Sequence, residues 1–501
     1  FNRVFYVIFA MAVQLGWLLT IFLRLAGYSR YMSFILDVIS ILVVLKIVNR
    51  KINPSYKLAW TMLILCLPIF GLVLYLVFGR SRIAAYMQDR FNEMLMKSGN
   101  LLQTDPEIHD LLEAEDISAC NQSDYIYHNA GYPIHGNTTA EYFQVGDDMF
   151  PVLVRELEQA QHYIFIEYFI IHDGVMWRTI LDILERKVQE GVDVRLIYDD
   201  MGCLTTLPHK YYETMRSKGI KCQVFNPFRP ILNIIQNNRD HRKFCIIDGY
   251  VGFTGGVNLA DEYINHIERF GYWKDSGIRL DGSAVKAFTR LFLSTWYINR
   301  GEISDFDQYH LENQPKDGMG LCIPYSSGPK PIYRSQVGKT VYQNLINQAT
   351  DYVYITTPYL IADYDLTESI KNAALRGVDV RIVTPCIPDK KVIQLVTRGA
   401  YSDLLSAGVR IYEYSPGFLH SKQMLVDGEA ATVGTINFDY RSLLHHYENA
   451  VLLYRTQSII DIERDFEEIF KVSQEIYPHT IKTSWYQSLI KEIVQLFAPM
   501  L

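Results

Sequence analysis

Two stretches of the chain, HRKFCIID at 241–248 and HSKQMLVD at 420–427, carry histidine, lysine and aspartate at the same spacing. Residues two apart in a strand face the same side of a sheet, so each histidine is predicted to project together with its lysine. A glycine and an asparagine follow each stretch at equal distances from the histidine. The matched positions are His241, Lys243, Asp248, Gly255 and Asn258, and His420, Lys422, Asp427, Gly434 and Asn437. The chain is therefore predicted to contain two copies of one unit.

A second repeat extends the duplication upstream of these motifs. The pentapeptide GVDVR occurs at Gly191–Arg195 and again at Gly377–Arg381, an offset of 186 residues. A helical pattern precedes each copy and a strand pattern precedes each helix. These predicted elements are the strands Tyr163–Ile171 and Tyr352–Thr357 and the helices Ile180–Gln189 and Ser369–Arg376. The alternation predicts an α/β fold of two similar domains, each a mixed sheet flanked by helices, packed as a pseudo-two-fold pair.

The repeat sets the predicted domain boundaries. The first domain is expected at 140–301 and the second at 325–480, joined by a linker at 302–324. Residues 81–139 are a connecting region whose fold the sequence does not reveal. Residues 481–501 have apolar side chains at helical spacing, which predicts a helix that packs on the second domain or lies on a bilayer.

The first 80 residues are predicted to be a membrane anchor. Val4–Leu23 and Leu58–Phe78 are uncharged runs of 20 and 21 residues, and a helix needs about 20 apolar residues to cross a bilayer. Tyr31–Leu45 contains Asp37, and a short membrane helix, an interfacial helix and a re-entrant segment all stay open for it. A signal peptide is an alternative for the first run, although that run is long for one.

Charge and cysteine content narrow the class of protein. Residues 1–80 contain eight Lys or Arg and one acid, a formal charge of +7. The whole chain has a formal charge of −7, so residues 81–501 carry −14. The net negative charge of residues 81–501 argues against non-specific nucleic-acid binding. The seven cysteines form no CxxC pairs, so neither a disulfide framework nor a zinc site is predicted, and a reducing compartment is favoured.

The residues of the duplicated motif suit phosphoryl chemistry. Lysine and asparagine supply donors for phosphate oxygens. Histidine can attack phosphorus or exchange a proton with an alcohol near neutral pH. Two histidines could therefore divide the roles of nucleophile and general acid–base. Because two lysines and two asparagines would neutralise the developing charge, neither a metal nor a cofactor is predicted.

The motif HxKxxxxD with glycine and asparagine after it resembles the phospholipase D superfamily over roughly residues 140–480. The longer stretches HRKFCIIDGYVGFTGGVNLADEY, YWKDSGIRLDG and HSKQMLVDGEAATVGTINFDYRSLLHHYENA are similar to bacterial-type cardiolipin synthases, as is the apolar LPIFGLVLYLVFGR. The resemblance implies a two-step phosphodiester exchange through a phospho-histidine. The segment Val4–Leu23 is extra to the two-helix anchor of that family.

The resemblance also implies roles for individual residues. The catalytic set is His241, Lys243, Asp248, His420, Lys422 and Asp427, with the two aspartates usually structural in the family. Asn258 and Asn437 are expected to bind the substrate phosphate. Asp275 and Glu448, counted from His241 and His420 respectively, are expected to orient the histidines. The second motif departs slightly by having Gly434-Thr435 where the first has two glycines. We favour His241 as nucleophile and His420 as acid–base.

The implied reaction joins two phosphatidylglycerol molecules into cardiolipin and releases glycerol. Phosphatidylethanolamine as donor, another phosphatidyltransferase, a hydrolytic phospholipase D, a phosphatidylserine synthase, a membrane-bound nuclease and an inactive scaffold are the alternatives. The expected location is the cell membrane, multi-pass, with the catalytic domains facing the cytoplasm, and a homo-oligomer stays open. Further candidate site residues, at the ends of predicted strands, are Glu167, Tyr168, Asp199, Asp200 and Tyr359.

Overall fold

The computed structural model describes residues 30–50, 54–78, 89–94, 105–227, 238–299 and 335–480, part of 301–333 and a few isolated positions. The chain divides into two compact units. One comprises residues 1–85, 227–238 and 483–501, and the other comprises 86–226 and 239–482. The predicted helices at Val4–Leu23 and 481–501 lie outside the described residues.

In the described part of the first unit the helices are α1 (Arg30–Val48), α2 (Pro54–Cys66) and α3 (Pro68–Phe78). The prediction of one continuous helix over Leu58–Phe78 is wrong, because the chain folds back between α2 and α3. The Trp60 and Tyr75 rings meet edge to face with centroids 5.3 Å apart, whereas 15 residues of straight helix would separate them by about 22 Å.

Two residues explain this reversal. Pro68 cannot donate the backbone hydrogen bond that would continue α2. At Gly71 a Cβ atom would lie 2.5 Å from the carbonyl oxygen of Leu63, so only glycine allows the two helices to approach this closely. Among the residues that the structure describes, no helix is both long enough and apolar enough to cross a bilayer.

In its described residues, the second unit has two large sheets with helices on their faces, and two further sheets of two short strands each. The helices are α4 (Pro106–Glu115), α5 (Ile117–Ala130), α6 (Gly146–Gln159), α7 (Val175–Gln189), α8 (Tyr211–Ser217), α9 (Val285–Ile298), α10 (Val337–Gln348), α11 (Tyr364–Leu375), α12 (Lys391–Ser406), α13 (Tyr440–Leu444) and α14 (Ser458–Val472). Short 3₁₀ helices occur at Asp261–Ile264, Asp307–Tyr309 and Pro478–Thr480.

The strands of the first half are β1 (Thr138–Phe143), β2 (Tyr163–Tyr168), β3 (Asp193–Asp199), β4 (Lys221–Phe225), β5 (Lys243–Ile247), β6 (Val251–Gly255), β7 (Tyr272–Lys274) and β8 (Gly277–Gly282). Those of the second half are β9 (Leu321–Ser327), β10 (Tyr352–Thr356), β11 (Leu360–Ile361), β12 (Asp379–Pro385), β13 (Arg410–Tyr414), β14 (Gly417–Leu419), β15 (Gln423–Val426), β16 (Ala430–Gly434), β17 (Phe438–Asp439), β18 (Glu448–Tyr454) and β19 (Ser473–Ile476).

The two sheets have the same strand order, which confirms the predicted α/β duplication. The first runs β1-β8-β6-β5-β2-β3-β4, and the second runs β9-β18-β16-β15-β10-β12-β13 with β19 added at the edge. In each, three parallel strands adjoin an antiparallel set. The motif strands β5 and β15 lie at that junction, each antiparallel to the first parallel strand.

The GVDVR repeat marks the same turn in both halves. Gly191 and Gly377 follow α7 and α11 with φ of 90° and 98°, the left-handed conformation in which glycine ends a helix without steric cost. The four residues after each glycine then enter β3 and β12. The repeated sequence is therefore a helix stop joined to a buried strand.

The segments outside the predicted domains also have structure. Residues 105–130 form a helical hairpin whose helices begin at the N-caps Asp105 and Asp116. Strand β9 begins at Leu321, inside the predicted linker 302–324, and belongs to the second sheet. Helix α9 of the first half packs against β9, and α14 of the second half packs against β1. The halves therefore share one apolar core.

Candidate active site

The backbone before each motif histidine pairs with the other half of the molecule. The amide of His241 donates to the carbonyl oxygen of Tyr447 at 2.9 Å, and the amide of His420 donates to that of Lys274 at 2.7 Å. Strand β14, which leads to His420, pairs in parallel with β7. Tyr447 and Lys274 directly precede the two carboxylates that the sequence proposed as orienting groups, so these backbone bonds place each histidine beside an acid.

Each motif histidine pairs with the acid of the opposite half. His241 Nδ1 lies 2.9 Å from both carboxylate oxygens of Glu448, and His420 Nδ1 lies 2.5 Å from Asp275 Oδ2. The sequence counted each acid from the histidine of its own half, whereas the structure pairs it with the histidine of the other. A carboxylate on Nδ1 fixes the tautomer and leaves Nε2 as the nitrogen available for chemistry.

The two carboxylates are held by different neighbours. Glu448 accepts hydrogen bonds from the hydroxyls of Thr435, at 2.5 Å, and Ser442, at 2.6 Å. Asp275 accepts the amide of Ser276 at 3.0 Å, and a Cβ on Gly256 would lie 1.9 Å from its Oδ1. The Gly-Gly and Gly-Thr difference between the motifs therefore has a physical reason: Gly256 makes room for Asp275, and Thr435 binds Glu448.

The motif lysines are buried beside the histidines. Lys243 Nζ donates to the carbonyl oxygen of His241 at 2.7 Å, and Lys422 makes the equivalent bond to His420. Burial lowers the pKa of Lys243 to about 7 and that of Lys422 to about 8, against partial compensation by the site carboxylates. Each ammonium is therefore held in a site that lacks enough negative charge for it.

The histidine pKa values are lowered for the same reason. Burial, followed by the nearby lysines, brings the pKa of His420 to about 4 and that of His241 well below its usual value. Each histidine also interacts electrostatically with the lysine of the other motif. The two motifs therefore lie close enough to interact in one site, where the buried lysines favour binding of an anion.

The two carboxylates respond differently to burial. Burial raises the pKa of Glu448, and Lys243 with the two hydroxyls only partly offsets this. Burial also acts on Asp275, but His420 and the two motif lysines outweigh it and hold the pKa of that carboxyl below its usual value.

The two motif asparagines are both buried but differ in their hydrogen bonds. Asn258 Oδ1 accepts from the amide of Ile170 at 3.0 Å, and its Nδ2 donates to Tyr263 Oη at 2.8 Å. Tyr263 in turn contacts the His420 ring with centroids 5.5 Å apart. Asn437 Oδ1 is buried and has no hydrogen-bond partner among the described residues. Both amides thus lie in the interior, and Asn258 is linked to the His420 centre.

The motif aspartates, which are named with the catalytic set but expected to be structural, stand at the opposite end of their strands from the lysines. Five residues of strand separate each pair by about 16 Å. Asp248 accepts the amides of Gln161, His162 and Tyr163. Asp427 accepts those of Thr350, Asp351 and Tyr352. Both adopt positive φ, 51° and 53°, and tie the motif strand to the start of the neighbouring parallel strand.

The other candidate acids form a scaffold around His241. Asp199 is fully buried and pairs with Arg239 at 2.9 Å, while also accepting the amide of Asp240. Glu167 is fully buried with its carboxylate 3.0 Å from Arg242 Nε. The buried charged residues Arg239, Asp240 and Arg242 were not identified from the sequence as part of the site. Their signal in the sequence is RDHRK at 239–243, which has four charged residues in five positions. Tyr168 and Asp200 are also buried, and Tyr359 Oη donates to Asp389 at 2.6 Å.

The aromatic neighbours of the two histidines differ. His241 contacts the rings of Phe169 and His446, with centroids 4.9 and 5.6 Å away. His420 contacts Trp273, 5.5 Å away. His446 and Trp273 each stand two residues before the orienting acid. In the part of the chain that the structure describes, His241, His446 and Glu448 also form a set that could hold a metal ion.

Comparison with known proteins identifies this arrangement. The family described as "Cardiolipin synthase, PLD-like domain" matches residues 153–296 and 342–470, one segment in each half. The chain belongs to the PLD-like cardiolipin synthase family. A second family, "Phospholipase_D-nuclease N-terminal", matches residues 35–80. The predictions of the phospholipase D superfamily and of a phosphatidyltransferase of the cardiolipin synthase type are thereby confirmed.

Relatives in this family align over nearly their whole length. A cardiolipin synthase of Halalkalibacterium halodurans is 31% identical, with 100% of both chains covered. One of Staphylococcus aureus is 34% identical over 94% of this chain and 96% of its own. An uncharacterized protein of Streptococcus mutans is 42% identical over 91% and 99%. Phosphatidylserine synthase of Haemophilus influenzae shares the fold, with a TM-score of 0.57, 14% identity, and 76% and 98% covered.

Proposed function

We propose that the protein is a cardiolipin synthase that transfers a phosphatidyl group from one phosphatidylglycerol to another through a phospho-histidine, and that His241 is the nucleophile. The observation that carries the mechanism is the exchanged pairing of His241 with Glu448 and His420 with Asp275. Each imidazole is oriented by a carboxylate from the other half, and both leave Nε2 available within one site that also contains the two buried lysines.

In the first step, His241 Nε2 attacks the phosphorus of phosphatidylglycerol and forms a P–N bond. The bond between phosphorus and the glycerol oxygen breaks, and His420 gives its proton to that oxygen. The substrate anion favours the imidazolium form of His420, whose pKa is low in the free site because of burial and the nearby lysines. Glycerol leaves, and the phosphatidyl group remains on His241.

In the second step, neutral His420 takes the proton from a primary hydroxyl of a second phosphatidylglycerol. The alkoxide oxygen bonds to phosphorus, the P–N bond breaks, and His241 is regenerated. Two phosphatidylglycerols therefore give one cardiolipin and one glycerol, and His420 ends with the proton it started with. Water in place of the second lipid would give phosphatidic acid.

Lys243 and Lys422 are proposed to bind the non-bridging phosphate oxygens. Their ammonium groups are buried and poorly neutralised, so an anion that enters the site regains a stabilising partner for each. Asn258 and Asn437 are proposed to assist through amide hydrogens, of which each side chain has two.

We also propose that the first unit attaches the enzyme to the cell membrane, with the catalytic halves on the cytoplasmic side. Large apolar side chains of its helices are exposed, among them Phe34, Leu42, Leu58 and Leu76. All seven cysteines carry free thiols, which is typical of a reducing compartment. Flotation of the full chain with phosphatidylglycerol vesicles tests attachment, and recovery only in the unbound fraction would contradict it.

The function is tested by incubating purified protein with phosphatidylglycerol vesicles and analysing lipids by mass spectrometry. Cardiolipin and glycerol in equal amounts are expected, and both should be lost in His241→Ala and His420→Ala. His128→Ala is the matched control, since His128 is an exposed residue of α5. Phosphatidic acid as the main product would instead establish a hydrolase.

A phosphatidyl ester of p-nitrophenol separates the roles of the two histidines. Nitrophenolate leaves without protonation, so His420→Ala should release one nitrophenolate per active site and retain a phospho-enzyme that is stable to base and labile to acid. His241→Ala should release none. The reverse pattern would assign the nucleophile to His420.

A further inference from the structure

The helical hairpin α4–α5 brings together a histidine, a cysteine and an aspartate that the proposed reaction does not use. His109 Nε2 lies 3.0 Å from Asp124 Oδ1 and 3.5 Å from Cys120 Sγ. Cys120 and Asp124 are four residues apart on α5 and therefore share one face of that helix. His109 comes from α4, so the cluster joins the two helices of the hairpin.

The distances within this cluster fit a tetrahedral zinc site. With ordinary zinc–ligand bond lengths, a sulfur and a nitrogen ligand lie about 3.5 Å apart, and a nitrogen and an oxygen ligand about 3.3 Å apart. The observed separations differ from these by at most about 0.3 Å. The three donor atoms lie within 4.8 Å of one another, so a cation could reach all of them without movement of either helix.

The surroundings of the cluster favour a cation. Asp110 and Glu113 lie on the same turn and next turn of α4 and form a second ligand group with His109. Cys120 is 2% exposed, whereas the side chains of His109 and Asp124 are 28% and 38% exposed. Thiolate is therefore shielded by protein while the other two ligands face the solvent, which provides an entry path and room for a water as fourth ligand.

The hairpin is rigidly built before any metal binds. Asp105 and Asp116 cap its two helices, and Asp116 Oδ2 also accepts Tyr454 Oη at 2.9 Å. Asn344 of α10 donates to Gln122 at 2.8 Å. These contacts fix α5 against the second half, so the positions of Cys120 and Asp124 are set by the fold.

We propose that His109, Cys120 and Asp124 form a zinc site, with water as the fourth ligand, that ties α4 to α5. Binding replaces the thiol proton of Cys120 by Zn²⁺, so one proton is released and no oxidation occurs. The sequence predicted no zinc site because the spacing H-x10-C-x3-D contains no CxxC pair. The site is separate from the active site, since it contains none of the residues of the two motifs.

The test is metal binding by the full-length protein. Protein stripped with a chelator and then dialysed against Zn²⁺ should retain one ion per chain, and Co²⁺ in its place should give a thiolate charge-transfer band in the near ultraviolet. The thiolate band distinguishes this cluster from His241, His446 and Glu448, which contain no sulfur.

Variants connect the bound ion to the cluster. His109→Ala, Cys120→Ser and Asp124→Asn should each weaken zinc binding by more than about 100-fold, beyond the loss that outer-shell changes reach, and Cys120→Ser should lose the cobalt band. Asp124→Glu, which keeps a carboxylate, should lose less than Asp124→Asn. Cys222→Ser is the matched control because the Cys222 thiol is buried against backbone.

Two outcomes would overturn the proposal. One is a wild-type protein that takes up no zinc and gives no cobalt–thiolate band; His109 and Asp124 would then form only a hydrogen bond across the hairpin. The other is unchanged binding in the three ligand variants. Zinc should also raise the melting temperature of the wild type more than that of Asp124→Asn, which checks the site in a variant that remains folded.

Discussion

The centre at His241 and the centre at His420 stand on equivalent strands but are completed by different side chains. The backbone amide of each histidine donates to a carbonyl oxygen of the other half, and each Nδ1 pairs with a carboxylate of the other half. At His241 the carboxylate is the longer Glu448, held by two hydroxyls. At His420 it is the shorter Asp275, held by a backbone amide beside Gly256.

This difference bears on the proposed division of roles between the two histidines. The backbone plan, which places His Nε2 and a lysine in one site, is common to both halves. The pKa values of the two carboxyl groups shift in opposite directions, because burial raises that of Glu448 while the nearby cations lower that of Asp275. Imidazoles with different carboxylate partners differ in basicity, which is what a division into nucleophile and acid–base requires.

The largest expected effect is the loss of an orienting carboxylate. Glu448→Gln and Asp275→Asn should each lower kcat by about 10³- to 10⁴-fold, as loss of the carboxylate in other histidine pairs does, because the amide favours the wrong tautomer. With the nitrophenyl substrate, nitrophenolate leaves without protonation by His420. The rate of its release should therefore return towards that of the wild type in Asp275→Asn but not in Glu448→Gln. Equal recovery in both variants would contradict the proposed division of roles, and the surface change Glu468→Gln is the control.

The next effect concerns the residue that differs between the motifs. Gly256→Thr should lower kcat by about 10²-fold or more, since its Cβ would lie 1.9 Å from Asp275 Oδ1 and displace the carboxylate. Thr435→Gly removes one hydrogen bond to Glu448 and should cost about tenfold. Kinetics of the two purified variants with phosphatidylglycerol measure both. A larger loss of kcat in Thr435→Gly than in Gly256→Thr would contradict the roles assigned to these two positions.

The buried lysines predict opposite pH trends for activity and stability. In the free enzyme, kcat/KM should fall by up to tenfold per pH unit above about pH 7, where Lys243 loses its proton, and more steeply above about pH 8, where Lys422 also does. Because its folded-state pKa is about 7 rather than 10.5, Lys243 makes the folded protein bind fewer protons than the unfolded chain between these values. The free energy of unfolding should therefore rise with pH in that window.

A pH series of kcat/KM and of urea unfolding measures these trends. Lys243→Met is the comparison for stability, since the difference between wild type and variant isolates the lysine from other titrating groups. A wild-type advantage that falls as pH rises from 7 to 10 would show that the lysine is not buried as described.

The smallest expected effect is that of one hydroxyl at Glu448. Ser442→Ala should lower kcat by about tenfold or less, because Thr435 still donates to Glu448 and only part of the about 1.5 to 3 kcal/mol of a hydrogen bond to a charged group is lost. Ser442 donates to Glu448, the partner of His241. The release of nitrophenolate depends on His241, so Ser442→Ala should slow that release as well. An unchanged kcat would mean that Thr435 alone holds Glu448.

Much of the active site could be predicted from local sequence. The spacing of His241 and Lys243 in a strand places both side chains on one face, and the GVDVR repeat encodes a helix end followed by a strand. These features depend on residues within a few positions of each other. The same spacing includes Asp248 and Asp427 in the motif, but spacing alone does not say whether a carboxylate faces the site or the backbone of a neighbouring strand.

Features that depend on distant residues could not be predicted. Glu448 lies 207 residues from His241 and Asp275 lies 145 from His420, and only the packing of the two halves decides which acid meets which histidine. The fold-back at Gly71 and the His109–Cys120–Asp124 cluster likewise depend on how two helices approach each other.

By itself, the sequence determined that the protein is a duplicated α/β enzyme with one histidine–lysine motif per half, because period, spacing and turn residues act locally. The tertiary structure alone decided the exchange of carboxylates, the backbone partners of the motif aspartates and the difference between the two centres. Backbone pairing at Tyr447 and Lys274 joins the halves, and contacts made by that pairing have no fixed spacing along the chain.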